Sequence, residues 1–318
     1  MVTTPAETRP DPTPLNSVAV RPRLGLGIAL MLVCVGCFSA LSATVKFLSA
    51  DYSTWQIVLF RNVVPLPFVF LLVVARGGLE ALQTRRPGMH LVRNGLAMLS
   101  NLLLFFGLGF VTLSDASAIQ FTSPLMVTAL SAILLGETVG PRRWVAVLLG
   151  FCVVILIVAP SGNVQWASLI VLVSTLCYGL MVISTRILAR TESAGTIFFY
   201  LCFIGTLVPA AAMPFVWIDP TMTDFGLLLL VGVFGGLSQL FLVNAVRLVS
   251  PAILAPFEYT LILWAVGFDV VLWHVQPAAG TLVGAAILAV AGLYIAQRES
   301  QFATRLWAQL RTRLGSAP

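Results

Sequence analysis

Charge is scarce in this sequence. Only 9% of its 318 residues are Asp, Glu, Lys or Arg, where a soluble globular domain carries roughly 25%. Hydrophobic residues make up 59% and the mean hydropathy is +0.99, so the chain has no room for a soluble domain. Histidine is limited to His90 and His274. No HExxH, no Cys/His ligand cluster and no paired-carboxylate arrangement is present, which argues against a metal centre or a hydrolase. A GxxxxGK[ST] phosphate loop is also missing, so ATP-driven transport by this chain alone has no support. The expectation is therefore no enzyme, no cofactor and no metal. Five cysteines (Cys34, Cys37, Cys152, Cys177, Cys202) all sit inside apolar runs; their odd number and position argue against a disulfide framework.

What is present is a series of apolar segments. Ten can be drawn: Leu24–Phe47, Trp55–Ala75, Leu91–Val111, Ala116–Leu135, Trp144–Ala159, Gln165–Ile187, Thr196–Trp217, Phe225–Val246, Ala252–Leu272 and Ala278–Ala296. Each is near the roughly 20 residues that cross a bilayer. The net charge of +6 would suit nucleic acid, but the cations lie between the apolar segments, where they report topology instead. With the N-terminus inside, only Lys46 and Arg61 of the 18 Lys and Arg fall on the outer side. The expectation is a multi-pass protein of the inner (cytoplasmic) membrane with both termini in the cytoplasm. The last stretch, Gln297–Pro318, carries Phe302, Leu306, Leu310 and Leu314 among arginines; it suits an amphipathic helix on the anionic inner leaflet or a disordered tail.

The sequence repeats itself. Adding 136 to Ser114–Leu125 (SDASAIQFTSPL) lands on Ser250–Leu261 (SPAILAPFEYTL), pairing Phe121 with Phe257 and Leu125 with Leu261. An offset of 140 carries Cys37-Phe38 onto Cys177-Tyr178, Lys46 onto Arg186 and Ile57 onto Ile197. Phe105 matches Phe241 at 136, and Gly150 matches Gly284 at 134. Each copy holds five spans, an odd number, so the two copies lie in the membrane with opposite orientation. The division expected is 1–23 cytoplasmic tail, 24–160 first repeat, 161–298 second repeat and 299–318 basic tail. The fold class expected is an all-α membrane protein, ten transmembrane helices in two inverted five-helix repeats. Gly232 and Gly236 in the eighth segment form a small-xxx-small pair suited to close helix packing.

The repeated stretch also points to the site. Both copies interrupt an apolar run with proline and polar residues, and such interruptions at corresponding positions mark transporter binding sites. Glu258 lies deep in the ninth segment, where an ionised carboxylate is costly and faces a polar interior. Arg61 lies about 10 Å into the second segment; it holds a substrate carboxylate or partner acid, or else snorkels to the interface. Asp269 follows Glu258 by 11 residues, which puts both on one helical face, with Asp269 near the outer boundary where ionisation is cheap. Asn101, Gln120, Gln239 and Tyr259 join the candidate set as polar groups in or beside the interrupted helices; singly each suits interhelical hydrogen bonding as well. Trp264, mid-span beyond Glu258, is placed to stack on a ring-bearing substrate or to pack against lipid.

Several of these motifs are shared with a known family. LFRN around Arg61, RRPGMHLVRN leading into the third segment, FTSPL followed by LLGE, RRW before Gly150, and APFEYT and GLYI in the second half resemble the EamA-like domains of the drug/metabolite transporter superfamily. The resemblance spans Leu24–Arg298, and within the superfamily the pattern is similar to a branch of proposed S-adenosylmethionine and riboflavin uptake carriers. It implies a basket of ten helices around a central cavity, with the third, fourth, eighth and ninth near its wall. One departure is Trp273-His274-Val275-Gln276, where the family carries a Gly-Glu pair. The function expected is a secondary transporter moving a small metabolite (vitamin, nucleoside-like or amino-acid-like) by alternating access, with an exporter of amino acids or toxic metabolites, or an accessory membrane protein, as alternatives. Its partners are a small-molecule substrate and the lipid bilayer, no nucleic acid, with the chain a monomer or homodimer. Proton coupling through Glu258 and facilitated exchange are both open.

Overall fold

The computed structural model describes residues 24–135, 144, 145, 148, 152, 165–189, 191–249, 254, 257–287, 289 and 290. The fifth apolar segment, the ends of the ninth and tenth, both polar tails and the Gly136-Glu137 and GLYI motifs lie outside them or nearly so. Regular structure among the described residues is helical, without strands. The helices are α1 (Leu24–Leu48), α2 (Thr54–Val63), α3 (Leu66–Gly77), α4 (Pro87–Leu108), α5 (Leu113–Gln120), α6 (Ser123–Leu135), α7 (Trp166–Leu188), α8 (Ala194–Val216), α9 (Met222–Leu248) and α10 (Leu261–Trp273); residues 279–287 are helical too. Seven stretches of this set are long and apolar enough to cross a membrane, α2 with α3 and α5 with α6 each counting as one, and α10 is a shorter apolar helix.

Three of the spans depart from a continuous helix, the second by a kink and the fourth and ninth by a break, each for a stated chemical reason. Pro65 has no N–H to give and sits between α2 and α3, yet the chain stays right-handed helical through Val64 and Pro65. The result is a kink and not a turn. The sequence pattern had read this second span as continuous. In the fourth span, α5 stops at Gln120 and α6 restarts at Ser123 with Pro124 in its first turn. The break frees carbonyls that hydrocarbon cannot solvate; the Thr122 hydroxyl donates to the Ile119 carbonyl at 2.7 Å. The ninth span uses the same device, with Thr260 donating to Phe257 at 2.6 Å ahead of α10.

The helices pair reciprocally. α1 runs along α9, with Gly27 beside Val249 and Gly235 beside Leu41, hence antiparallel. α4 runs along α7, also antiparallel: Gly107 meets Val171, Ser100 meets Ser174 and Arg93 meets Thr185. Under the internal offset α1 corresponds to α7 and α4 to α9, so each pair is the image of the other. α2 packs on both α8 and α9. At Gly232 of α9 an added Cβ would lie 2.6 Å from the Phe60 carbonyl oxygen and against Val64, so glycine is what lets α9 and α2 approach. The small-xxx-small pair serves packing, as Gly236 lies against Pro65.

Packing differs sharply between the two ends of the bundle. One end carries the connections 49–53, 109–112 and 217–221. There the largest apolar cluster, including Leu48, Ile57, Leu108, Leu113, Val171 and Leu228, is almost fully buried. Polar ties close the same end. Asp269 is 0% exposed and accepts from the Leu113 N–H at 3.0 Å, the Ser114 N–H at 2.8 Å and the Ser114 hydroxyl at 2.7 Å. Lys46 Nζ lies 3.9 Å from the same carboxylate, donates to the Val111 carbonyl at 2.6 Å and sits over the Trp273 ring. Tyr52 donates to Asp224 at 2.8 Å, and Gln56 exchanges two hydrogen bonds with the backbone of Ile218. The expectation that Asp269 sits ionised at a wet boundary is thereby corrected. It is a buried carboxylate held by the N-terminus of α5, whose free N–H groups suit an anion.

Candidate functional site

A cavity of about 280 Å³ opens within the bundle beyond this closed end. That volume is of the order of small-molecule sites. Its wall takes residues from α1, α2, α4, α7, α8 and α9 and from both helix breaks. Six of the seven residues singled out from sequence line it: Arg61, Asn101, Gln120, Gln239, Glu258 and Tyr259. The breaks explain three of them. Gln120 is the last residue of α5, and Glu258 and Tyr259 lie where the ninth span turns before α10. Because that turn separates Glu258 from α10, Glu258 and Asp269 do not share a helical face. Glu258 faces the cavity and Asp269 the closed end.

Trp264 does not line the cavity. Its ring packs at 3.5 Å from where a Cβ of Gly36 would be, between α10 and α1, and the residue is 47% exposed on the outside of the bundle. Of the two roles expected for it, stacking on a substrate or packing against lipid, its place on the outside fits the second; the aromatic wall of the cavity is made by Phe38, Phe121, Tyr178 and Tyr259. Phe121 and Tyr259 meet edge to face at 4.9 Å across the two breaks. Phe38 and Tyr178 are repeat partners, so the match at offset 140 was itself a usable signal for both walls.

Arg93 is the main residue that sequence reasoning missed. Counting the third span from Leu91 left it two residues from the inner end, where it was taken with the inner-side cations. The helix begins at Pro87, a residue favoured in a first helical turn because its missing N–H has no partner there anyway. That start carries Arg93 about 9 Å into the span, where it is 7% exposed and lines the cavity. Its Nε donates to the Thr185 hydroxyl at 3.1 Å and one terminal nitrogen to Asn94 at 2.8 Å. His90, expected in a loop, is buried in α4 with its ring 4.4 Å from that of Tyr200. Ser100 and Ser174 exchange hydroxyl-to-carbonyl bonds of 2.9 and 2.8 Å across α4 and α7.

Arg61 is differently placed. None of its nitrogens donates to an acceptor among the described residues, and its Nε is buried. The guanidinium lies 5.9 Å from the Phe105 ring centre, a spacing that suits cation–π attraction. A cavity of this size, walled by aromatic rings and amides and carrying two guanidiniums and one carboxylate, can hold a small polar molecule away from lipid. No group of three or more potential metal ligands occurs among the described residues.

The profile of the EamA-like transporter family matches residues 25–159 and again residues 165–297. The chain belongs to that family. Among its EamA relatives, a riboflavin transporter of Rhizobium johnstonii is 31% identical over 294 residues, 89% of this chain and 95% of the other. The pseudopaline exporter CntI of Pseudomonas aeruginosa is 30% identical over 273 residues, 83% and 94% of the two chains. An S-adenosylmethionine uptake transporter of Rickettsia bellii is 25% identical over 281 residues, 87% and 95%. A solved crystal structure superposes with a TM-score of 0.58 at 16% identity, covering 86% of this chain and 97% of the other; that likeness concerns the fold alone.

Proposed function

We propose that this EamA-family chain is a secondary carrier of the inner membrane that moves a small metabolite by alternating access. It does so with ten membrane helices in two inverted repeats, divided near residue 160, and with both termini in the cytoplasm. The observation that carries the reading is the cavity itself: Arg61, Arg93 and Glu258 all line it, and none of the three forms an ion pair among the described residues. Charge held at such depth is costly and marks a substrate or ion path. The reciprocal pairing of α1 with α9 and α4 with α7, and the two successive profile matches, support the repeat. The arginine distribution supports the orientation, which puts the closed end on the outer side and the cavity in the cytoplasmic half.

In this reading Arg61, Arg93, Asn101, Gln120, Tyr178, Gln239, Glu258 and Tyr259 contact substrate, and the Lys46–Asp269–Ser114 tie holds the outer end shut while the cavity faces inward. The named relatives include uptake carriers and an exporter, so direction is a matter for measurement. Purified protein in proteoliposomes is tested for counterflow of riboflavin, S-adenosylmethionine and aromatic amino acids. Arg61→Ala and Glu258→Gln are each expected to lower uptake while the protein still inserts. Counterflow that both variants leave intact would falsify the assignment of the cavity as the transport site.

A further inference from the structure

We infer that the second span (α2 with α3) and the seventh (α8) form one fixed brace, tied to each other at both ends at once, and that the rest of the bundle turns against it. This rests on the carrier reading above and adds to it which helices stay still during transport.

The first ground is a pair of ties that are images of one another. Where α2 begins, Tyr52 donates to Asp224 at 2.8 Å. The Gln56 amide donates to the Ile218 carbonyl at 2.9 Å and accepts from the Ile218 N–H at 3.1 Å. At the opposite end, where α8 begins, Thr84 donates to Glu192 at 2.8 Å, and the Arg85 N–H donates to the same carboxylate oxygen at 3.1 Å. The Tyr200 hydroxyl donates to the Leu82 carbonyl at 2.8 Å. The internal offset of 140 carries Tyr52 onto Glu192 and Thr84 onto Asp224. Donor and acceptor have changed sides between the copies, yet the same two positions meet. A contact that outlasts a full exchange of its chemistry is set by the geometry of the helix pair.

The second ground is that both ties are closed together. A gate in alternating access is shut on one side of the site while the other side is open. The Tyr52 and Glu192 ties are made in one structure, at opposite ends of the same helices, so neither behaves as a gate. The tie that shuts the packed end joins Lys46, Ser114 and Asp269. Those residues belong to α1, α5 and α10, none of which is a brace helix.

The third ground is the crossing between the two ends. α8 packs on both α2 and α3. A Cβ added at Gly205 would lie 2.7 Å from the Asn62 Cγ, and Gly205 is the counterpart of Pro65 under the same offset. The pair therefore crosses where the two copies correspond. Rocking between inverted repeats exchanges the arrangement of one copy for that of the other. A helix pair whose two ends are already alike has nothing to exchange.

The test uses purified full-length protein without its native cysteines, in proteoliposomes, with riboflavin, S-adenosylmethionine and aromatic amino acids as counterflow probes. Thr84→Cys with Glu192→Cys, and Tyr52→Cys with Asp224→Cys, are each joined by a short bifunctional methanethiosulfonate reagent, and linkage is scored by mass spectrometry. Linked at one end or at both, the protein is expected to keep counterflow within about twofold of its reduced form. A link across the packed end, Ser49→Cys with Gly109→Cys, is expected to stop it. Loss of counterflow on linking either brace end, regained on reduction, overturns the inference. A second measurement needs no transport. Spin labels at Glu80→Cys with Thr191→Cys, and at Asp51→Cys with Asp219→Cys, all exposed positions, are expected to give a single interspin distance at each end, in detergent and in nanodiscs. Two populations at either end sink the brace. The two readings fail separately. Absence of counterflow for every probe in the unlinked protein, with one distance at each end, removes the carrier and leaves the brace. Counterflow that either brace link abolishes does the reverse.

Discussion

Asp269 shows why a single carboxylate can be cheap to read as a charge and hard to read as a structure. Its partners Leu113 and Ser114 are 156 and 155 residues away along the chain, and no periodicity connects positions so distant. Arg61 and Glu258 were legible because a charge in hydrocarbon demands a polar surrounding wherever it occurs. Asp269 met that demand with protein groups. Asp269→Ala leaves Lys46 uncompensated at a dry helix end and is expected to cost about 3–5 kcal/mol, read as a lowered Tm in detergent. Lys46→Met in the same chain should recover part of that loss, since the double substitution removes the stranded cation. At the opposite extreme, Trp264→Phe is expected to leave counterflow within about twofold of the parent, because the ring touches Gly36 and the exterior and not the cavity. A large loss of transport with unchanged Tm would contradict that placement.

Among the elements, proline was informative in some places and misleading in others. Pro124 marked the break of the fourth span, and the structure adds the threonine hydroxyl that makes the break tolerable. Pro65 passed unread because its kink keeps the helical direction and so leaves the hydropathy pattern intact. Pro87 was the missed start signal, and four residues of helix there brought His90 into the bundle and carried Arg93 deeper into it. Glycine at the α9–α2 crossing allows the close approach that its small-xxx-small spacing suited. Gly232→Ala puts a methyl group against the Phe60 carbonyl and Val64; overpacking of this kind is expected to cost about 1–3 kcal/mol, measured as a Tm fall with expression retained. A neutral result would mean that α9 can slide away from α2 without loss.

For the whole molecule, the contrast between a packed end and a hollow half is the property from which alternating access follows. Ser49 and Gly109 join α1 and α4 at the packed end, where an added Cβ at 109 would lie 3.5 Å from the Ser49 Cβ, a spacing suited to a disulfide. In a background without the native cysteines, Ser49→Cys with Gly109→Cys should cross-link on oxidation and stop counterflow. Reduction should restore it. Undiminished transport by the fully cross-linked protein would show that this end need not open. Reporter fusions at the two termini are expected to give the same cytoplasmic signal, and opposite signals would remove the inverted arrangement.

The amino-acid sequence by itself determined the solvent in which this protein lives, the doubling of its pattern and the place of Arg61 and Glu258 within apolar segments. These are local or periodic properties, since the hydrocarbon thickness sets a length and the cost of a charge is the same at any position along the chain. Tertiary structure alone decided which polar groups meet: Asp269 with the α5 N-terminus, Ser100 with Ser174, Arg93 with the cavity, and Trp264 with the outside. Those outcomes depend on how far each helix extends and which face it turns inward, and both are settled by packing between segments far apart in sequence.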